Sequence, residues 1–272
     1  MSAAIALVLG GAGILGLVIG SFLNVVIARV PAGVPLTRES RCPRCDAPIR
    51  WWQNVPVLSW LVLRGRCAGC RAPISWRYPA VELGTALVYI GVTAWWLTDL
   101  TGPLVARLCV LGAYLWFAAA GIALTLIDLD VRRLPHTITT TTLLACGGLL
   151  MAASLLMPDV WAMVRALVGM AVLWGFYAVL RLIRPDGMGG GDVRLAASVG
   201  LMLGWLGWAP LLVGAFAAFL LGGLTGIGLM LGQRAHRRTA LPFGPWIIVG
   251  AWVGAVVGEP TATVYLAMIG VS

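Results

Sequence analysis

The chain has 272 residues, of which 60% are hydrophobic and only 11% charged, with a mean hydropathy of +0.95. Soluble domains carry about 25% charged residues, so the composition excludes an ordinary soluble domain and implies a polytopic membrane protein. The net charge of +9 is no argument for a nucleic-acid partner, because positive-inside topology against an anionic inner leaflet accounts for it.

The first apolar run, residues 3–28, is long enough to cross a hydrocarbon core of about 30 Å. It lacks a basic leading segment and a small-x-small cleavage site, and it is longer than a signal-peptide core, so a retained helix is expected. Residues 29–78 follow as the only long polar segment. This insert contains CPRC at Cys42 and Cys45 and CAGC at Cys67 and Cys70, with 21 residues between the pairs. Two CxxC turns at this spacing suit a tetrahedral four-thiolate zinc site, each turn presenting two sulfurs to one ion. A segment this small buries little core, so a metal would supply much of its folding free energy. A dithiol redox pair and two disulfides are the competing readings; cytoplasmic placement argues against disulfides and the duplicated turn against a thioredoxin-like pair. Four thiolates leave no open position for substrate, so the expected role is structural. Within IRWWQNVPVLSWLVLRGR, Trp51, Trp52 and Trp60 with Arg50 and Arg64 are expected to lie on the membrane interface.

Further spans are expected at residues 79–97, 103–127, 137–157, 160–183, 193–206, 208–231 and 242–257, with an apolar tail from Thr261. Eight spans result, with seven or nine as alternatives. Cys109 and Cys146 fall inside apolar spans and read as small core residues. All nineteen basic residues are arginine. All but Arg107 and Arg165 lie in the first, third, fifth and seventh loops, whereas the intervening loops hold Asp99, Asp159 and Glu259 and no arginine. The positive-inside rule then puts the N-terminus outside and the odd loops in the cytoplasm.

Ionisable groups at the edges of spans are costly and are functional candidates by default. Asp128 and Asp130 close the third span in LIDLDVRRLPH, and Asp192 opens the sixth in GMGGGDVRL. On this topology all three sit at the cytoplasmic boundary. Two carboxylates brought together in a partly desolvated site share a proton, an arrangement that activates water on one side and protonates a carbonyl oxygen or leaving group on the other. Nearby glycines permit positive φ and let a substrate backbone approach. Asp192 also has a structural explanation as a helix N-terminal residue, whereas Asp128 at a helix C-terminus opposes the dipole. Arg132 and Arg133 are available to neutralise it. On spacing alone, catalysis and proton or cation transport both stay open, the latter in a noncatalytic scaffold or transporter.

Several motifs in order resemble one family, the type IV prepilin leader peptidases, membrane aspartic proteases of the GxGD class that are usually also N-methyltransferases. GSFLNVVIARVP at residues 20–31 is similar to its N-terminal signature. The paired CxxC insert, RYPAVELGTAL at 77–87, IDLDVRRLP at 127–135, GGGD at 189–192 and LPFGPWIIVGAW at 241–252 follow. The resemblance implies an all-α polytopic membrane protein with about eight transmembrane helices and a small cytoplasmic zinc-binding insert of four cysteines. It divides the chain into residues 1–28, a first transmembrane helix; 29–78, the insert; and 79–272, a transmembrane aspartic peptidase core. Asp128, seven residues before Pro135, and Asp192 become the catalytic pair, with Gly189, Gly191 and Asp130 close to the substrate. That substrate is a prepilin or pseudopilin of a type IV pilus or protein-secretion system, with a basic leader ending in glycine and joined to an apolar helix. Cleavage after the glycine occurs at the cytoplasmic face of the bacterial plasma (inner) membrane. The new N-terminal residue is then methylated with S-adenosylmethionine as donor, to which the first loop and its Glu82 flank contribute; a peptidase without methyltransferase activity is the alternative. The family commonly has Asp where His136 stands and Lys where Arg194 stands. Neither departure removes a candidate carboxylate.

Overall fold

The structure is a computed structural model that describes residues 3–98, 101–157, 159–185, 188–231 and 242–270. Asp99, Gly187 and the seventh-loop arginines 234, 237 and 238, together with Leu241, lie outside the described residues. The chain forms two compact units, Met1–Leu100 and Thr101–Ser272.

In the first unit, α1 (Ala3–Arg29) and α3 (Arg77–Trp96) pack against one another. Glycines on one face of α1 make the contact close. A Cβ on Gly16 would lie 2.6 Å from the Ala86 Cα, and one on Gly20 would lie 2.7 Å from the Glu82 Cα. Small residues are how membrane helices bring backbones into van der Waals range when lipid gives no hydrophobic drive between them. Between α1 and α3 the insert holds a 3₁₀ turn at Trp51–Asn54 and the five-residue α2 (Leu58–Val62). The Arg29 guanidinium pins the chain leaving α1, donating to the Leu36 carbonyl at 2.9 Å and to Ser40 Oγ at 3.1 Å.

The second unit contains α4 (Leu104–Val131), α5 (His136–Leu156), α6 (Val160–Ile183), α7 (Gly190–Leu206), α8 (Trp208–Leu231) and α9 (Gly244–Met268). Helix α7 lies at its centre, in contact with α5, α6, α8 and α9. Its residues from Leu195 to Gly204 are all buried. Gly169 of α6 faces Gly200 and Gly204 of α7, and Gly214 of α8 faces Gly250 and Gly254 of α9, backbone against backbone. The Tyr114 hydroxyl donates to the Met202 carbonyl at 2.9 Å, tying α4 to α7. The Cys146 thiol, fully buried, donates to the Ala113 carbonyl at 3.4 Å, which fits the expected core role.

Among the described residues the fold is all-α, with no strand and two isolated β-bridges. Six helices, α1, α4, α5, α6, α8 and α9, are long and apolar enough to cross a bilayer. This makes the chain a multi-pass membrane protein. The other two expected spans do form helices, but α3 includes Arg77 and Glu82 and α7 has only 17 residues, so the count of eight does not follow from length and apolarity. The expected stop at residue 257 with a separate tail is not observed. Helix α9 continues through Pro260 to Met268, in keeping with the tolerance of membrane helices for proline.

Candidate active site

Asp128 occupies the last turn of α4 and is only 5% exposed. A carboxylate there opposes the dipole of its own helix, but a second helix offsets this. The N–H of Gly244, first residue of α9, donates to Asp128 Oδ2 at 3.1 Å. The free amide and positive pole of a helix N-terminus suit an anion. Helix α4 is closed immediately after the site by Arg132, which adopts the left-handed conformation at φ 52° and donates its N–H to the Asp128 carbonyl at 2.9 Å.

Asp192 is the third residue of α7 and is 8% exposed. Its Oδ2 accepts the Gly189 N–H at 3.0 Å, so the capping role expected for it is real. The structure also brings it within electrostatic reach of Asp128. Leu134 packs these segments together. A Cβ on Gly191 would sit 2.5 Å from the Leu134 Cβ, and one on Gly244 would sit 3.2 Å from Leu134 Cδ2 and 2.8 Å from Asp128 Oδ2. The end of α4 and the starts of α7 and α9 therefore converge around one leucine and two carboxylates.

The glycines act differently from the expectation of left-handed backbone. Gly189 has φ −72°, and neither it nor Gly191 adopts a positive φ. Gly191 serves close packing on Leu134, and Gly189 presents its amide to Asp192. Asp130 is exposed, since two residues rotate a helix position by about 200°, and Asp128 is the carboxylate the fold buries. His136 opens α5 and is exposed. The roles of Gly244 and Leu134 were not anticipated. The available signal was the PFGP motif: glycine followed by proline marks a helix start whose free amide needs an acceptor.

Aromatic rings back the site. Phe243, preceding Gly244, packs tilted at 45° against Phe219 with centroids 5.3 Å apart, and Tyr177 lies 5.4 Å from Phe219 and 6.3 Å from Phe243. Alongside, a groove of about 480 Å³ opens between α6 and α7, with Trp174, Arg181, Gly190 and Arg194 in its lining.

In the first unit, the four candidate metal ligands come together. The sulfur atoms of Cys42, Cys45, Cys67 and Cys70 all lie within 4.8 Å of one another, with Cys42 Sγ and Cys70 Sγ 3.9 Å apart. Zn–S bonds of about 2.3 Å in a tetrahedron require sulfurs about 3.8 Å apart, so the cluster fits one ion of that size. The two turns are built alike. The Cys42 N–H donates to the Ala47 carbonyl at 2.9 Å and the Cys67 N–H to the Ala72 carbonyl at 2.8 Å. Asp46 and Arg71, each four residues after its first cysteine, take positive φ of 55° and 61°. Backbone amides of Arg44 and Cys45 lower the Cys42 thiol toward the thiolate that a metal requires, whereas Cys45, its neighbour in the same cluster, is raised. Of the expected interfacial tryptophans, Trp51 and Trp52 are exposed, whereas Trp60 is half-buried on Gly65 and donates from Nε1 to the Ile74 carbonyl at 3.2 Å.

Comparison with known proteins agrees across nearly the whole chain. Residues 14–96 match the Bacterial Peptidase A24 N-terminal domain and residues 114–227 match the Type IV leader peptidase family. A protein of Aeromonas salmonicida named prepilin leader peptidase/N-methyltransferase is 38% identical, covering 93% of this chain and 92% of its own length. Proteins of the same name from Neisseria gonorrhoeae and Pseudomonas aeruginosa are 37% and 31% identical, covering 89% and 94% of this chain and 88% and 93% of their own lengths. No solved structure matches significantly.

Proposed function

The chain belongs to the type IV leader peptidase family, and on that premise we propose that it is a prepilin peptidase whose catalytic pair is Asp128 and Asp192. The observation that carries the residue assignment is the convergence of two buried carboxylates, Asp192 accepting the amide of Gly189 in its own GGGD motif and Asp128 that of Gly244 in the distant PFGP motif. The substrate is a prepilin or pseudopilin, cut after the glycine that ends its basic leader. The arginine-poor and arginine-rich loops support eight crossings of the bacterial inner membrane with this site at the cytoplasmic face. The division into a first helix, an insert and a peptidase core from residue 79 is part of the same proposal.

One carboxylate takes a proton from water, whose oxygen attacks the carbonyl carbon of the scissile glycine. The other, protonated, donates its proton to the carbonyl oxygen; the first, now carrying the water proton, gives it to the amine as the C–N bond breaks, while the second regains a proton from the gem-diol hydroxyl as the new carboxyl forms. A leader carboxylate and a free N-terminal amine result. The backbone amides of Gly189 and Gly244 fix one oxygen of each carboxylate, leaving the other for water or substrate. Gly189, Gly191 and, less directly, Asp130 flank the path of the leader. Methylation of the new amine uses S-adenosylmethionine as donor, with the first loop and its Glu82 flank as the contributing segment; this rests on the family. The four cysteines would hold zinc, which would act structurally by tying the two CxxC turns into one folded insert.

Asp128→Asn and Asp192→Asn are each expected to abolish leader removal from a co-expressed prepilin while the protein stays inserted. Parental processing by either variant would overturn that residue's assignment. Labelled S-adenosylmethionine separates a bifunctional enzyme from a peptidase alone, by the presence or absence of label on processed pilin.

A further inference from the structure

The insert carries an apolar surface that neither the aspartate pair nor the metal cluster uses. Leu58, Leu61 and Val62 of α2 are 61%, 56% and 76% exposed, and Trp51 and Trp76 are more than two-thirds exposed. Helix α2 begins from an unusual backbone. Val57, its N-cap, has φ 60° and ψ −50°, a region that β-branched residues rarely enter. What holds it there is a hydrogen bond: the Val57 N–H donates at 2.7 Å to Oε2 of Glu82, a buried residue of α3.

That bond fixes depth. The 27 residues of α1 measure about 40 Å at 1.5 Å per residue, so a hydrocarbon core of about 30 Å begins about 5 Å from either end. Glu82 lies against Gly20, nine residues and therefore about 13 Å from the Arg29 end. Its Cα is thus about 8 Å inside the core boundary. A helical side chain leans toward its own N-terminus, here the Arg77 end, and a glutamate reaches about 5 Å. The Val57 amide is consequently at the hydrocarbon boundary, and α2 leaves from that level. Exposed arginines at 50, 64 and 66 flank the apolar residues, complementary to anionic headgroups, and tryptophan favours this layer.

We propose that α2, with Trp51, is a wedge seated in the bilayer between headgroups and acyl chains, and that the Glu82–Val57 hydrogen bond sets its depth. The occupant of the exposed apolar face is lipid. This rests on the first unit alone and is independent of the aspartate assignment. It differs from the interfacial surface expected from sequence, because Leu58, Leu61 and Val62 of α2, and not the half-buried Trp60 of the same helix, supply the embedded face.

The test uses the full chain in proteoliposomes of phosphatidylethanolamine and phosphatidylglycerol, with a benzophenone amino acid in place of Val62. Irradiation is expected to give phospholipid adducts at position 62, as at Leu167, an exposed position of α6, and none at Arg44 in the first CxxC turn. Absence of lipid adduct at 62, or adducts there to a second copy or to added prepilin instead, would overturn the proposal. Combining the probe with Glu82→Ala is expected to reduce the lipid adduct. An unchanged yield would refute the role of Glu82 while leaving the wedge itself established by the first measurement.

Discussion

Replacing Gly244 with alanine tests the site most directly, because it perturbs a carboxylate without touching it chemically. The added Cβ would lie 2.8 Å from Asp128 Oδ2, whereas ordinary van der Waals contact begins at 3.4 Å. The carboxylate must therefore retreat from that Cβ by about 0.6 Å, which lengthens the Gly244 N to Oδ2 distance from 3.1 Å to about 3.5 Å, beyond the usual range of N–H···O bonds. Losing a hydrogen bond to a charged group costs about 1.5–3 kcal/mol. At about 1.4 kcal/mol per factor of ten, this is a loss of about 10- to 100-fold in rate if the bond is needed in the transition state. Only the far ends of two side chains have to move, Asp128 Oδ2 and, by a few tenths of an ångström, the Leu134 methyls, so the protein should remain folded and inserted. The assay is cleavage of purified prepilin in detergent or proteoliposomes, with kcat and KM separated. The loss should appear in kcat, since leader binding does not depend on Asp128 being correctly oriented. An unchanged kcat would refute the argument that the α9 N-terminus positions Asp128.

Asp130→Asn should retain cleavage near the parental rate, because Asp130 is exposed while Asp128 is buried; the same prepilin assay decides it. Tyr114→Phe removes the donor to the buried Met202 carbonyl and should destabilise the second unit by about 1–3 kcal/mol, read as a lower Tm in detergent. Purified protein should carry one zinc per chain, and Cys67→Ser should lose it, with faster amide exchange at Cys42 and Cys67, whose N–H groups close the two turns; metal analysis and exchange mass spectrometry measure both. A wild-type protein without stoichiometric metal would refute the zinc reading.

The boundary carboxylates illustrate how far local pattern reaches. Asp192 was legible twice over, as an N-terminal helix residue and as part of GGGD, and it performs the first role through Gly189. Asp128 was legible as an anomaly, a carboxylate at the wrong end of a helix. What resolves the anomaly lies 116 residues away in Gly244, and no periodicity or charge pattern connects two such positions. Leu134 was read only as part of a motif string. Its place between the starts of α7 and α9 comes from packing.

Composition and apolar run length determined by themselves that this is a membrane protein of long helices, because lipid leaves backbone polar groups few ways to be satisfied. The CxxC spacing determined that four thiolates meet, since each turn is local and the insert is short. Arginine distribution determined an expected topology, because translocating charge is costly. Tertiary structure alone decided that α7 would be the buried central helix and that α9 would run unbroken through Pro260. It also decided that glycine would serve close contact rather than left-handed turns at the GGGD motif, and that the amide of Gly244 would hold Asp128. These are contacts between segments distant in sequence, set by how side chains and backbones fill shared space.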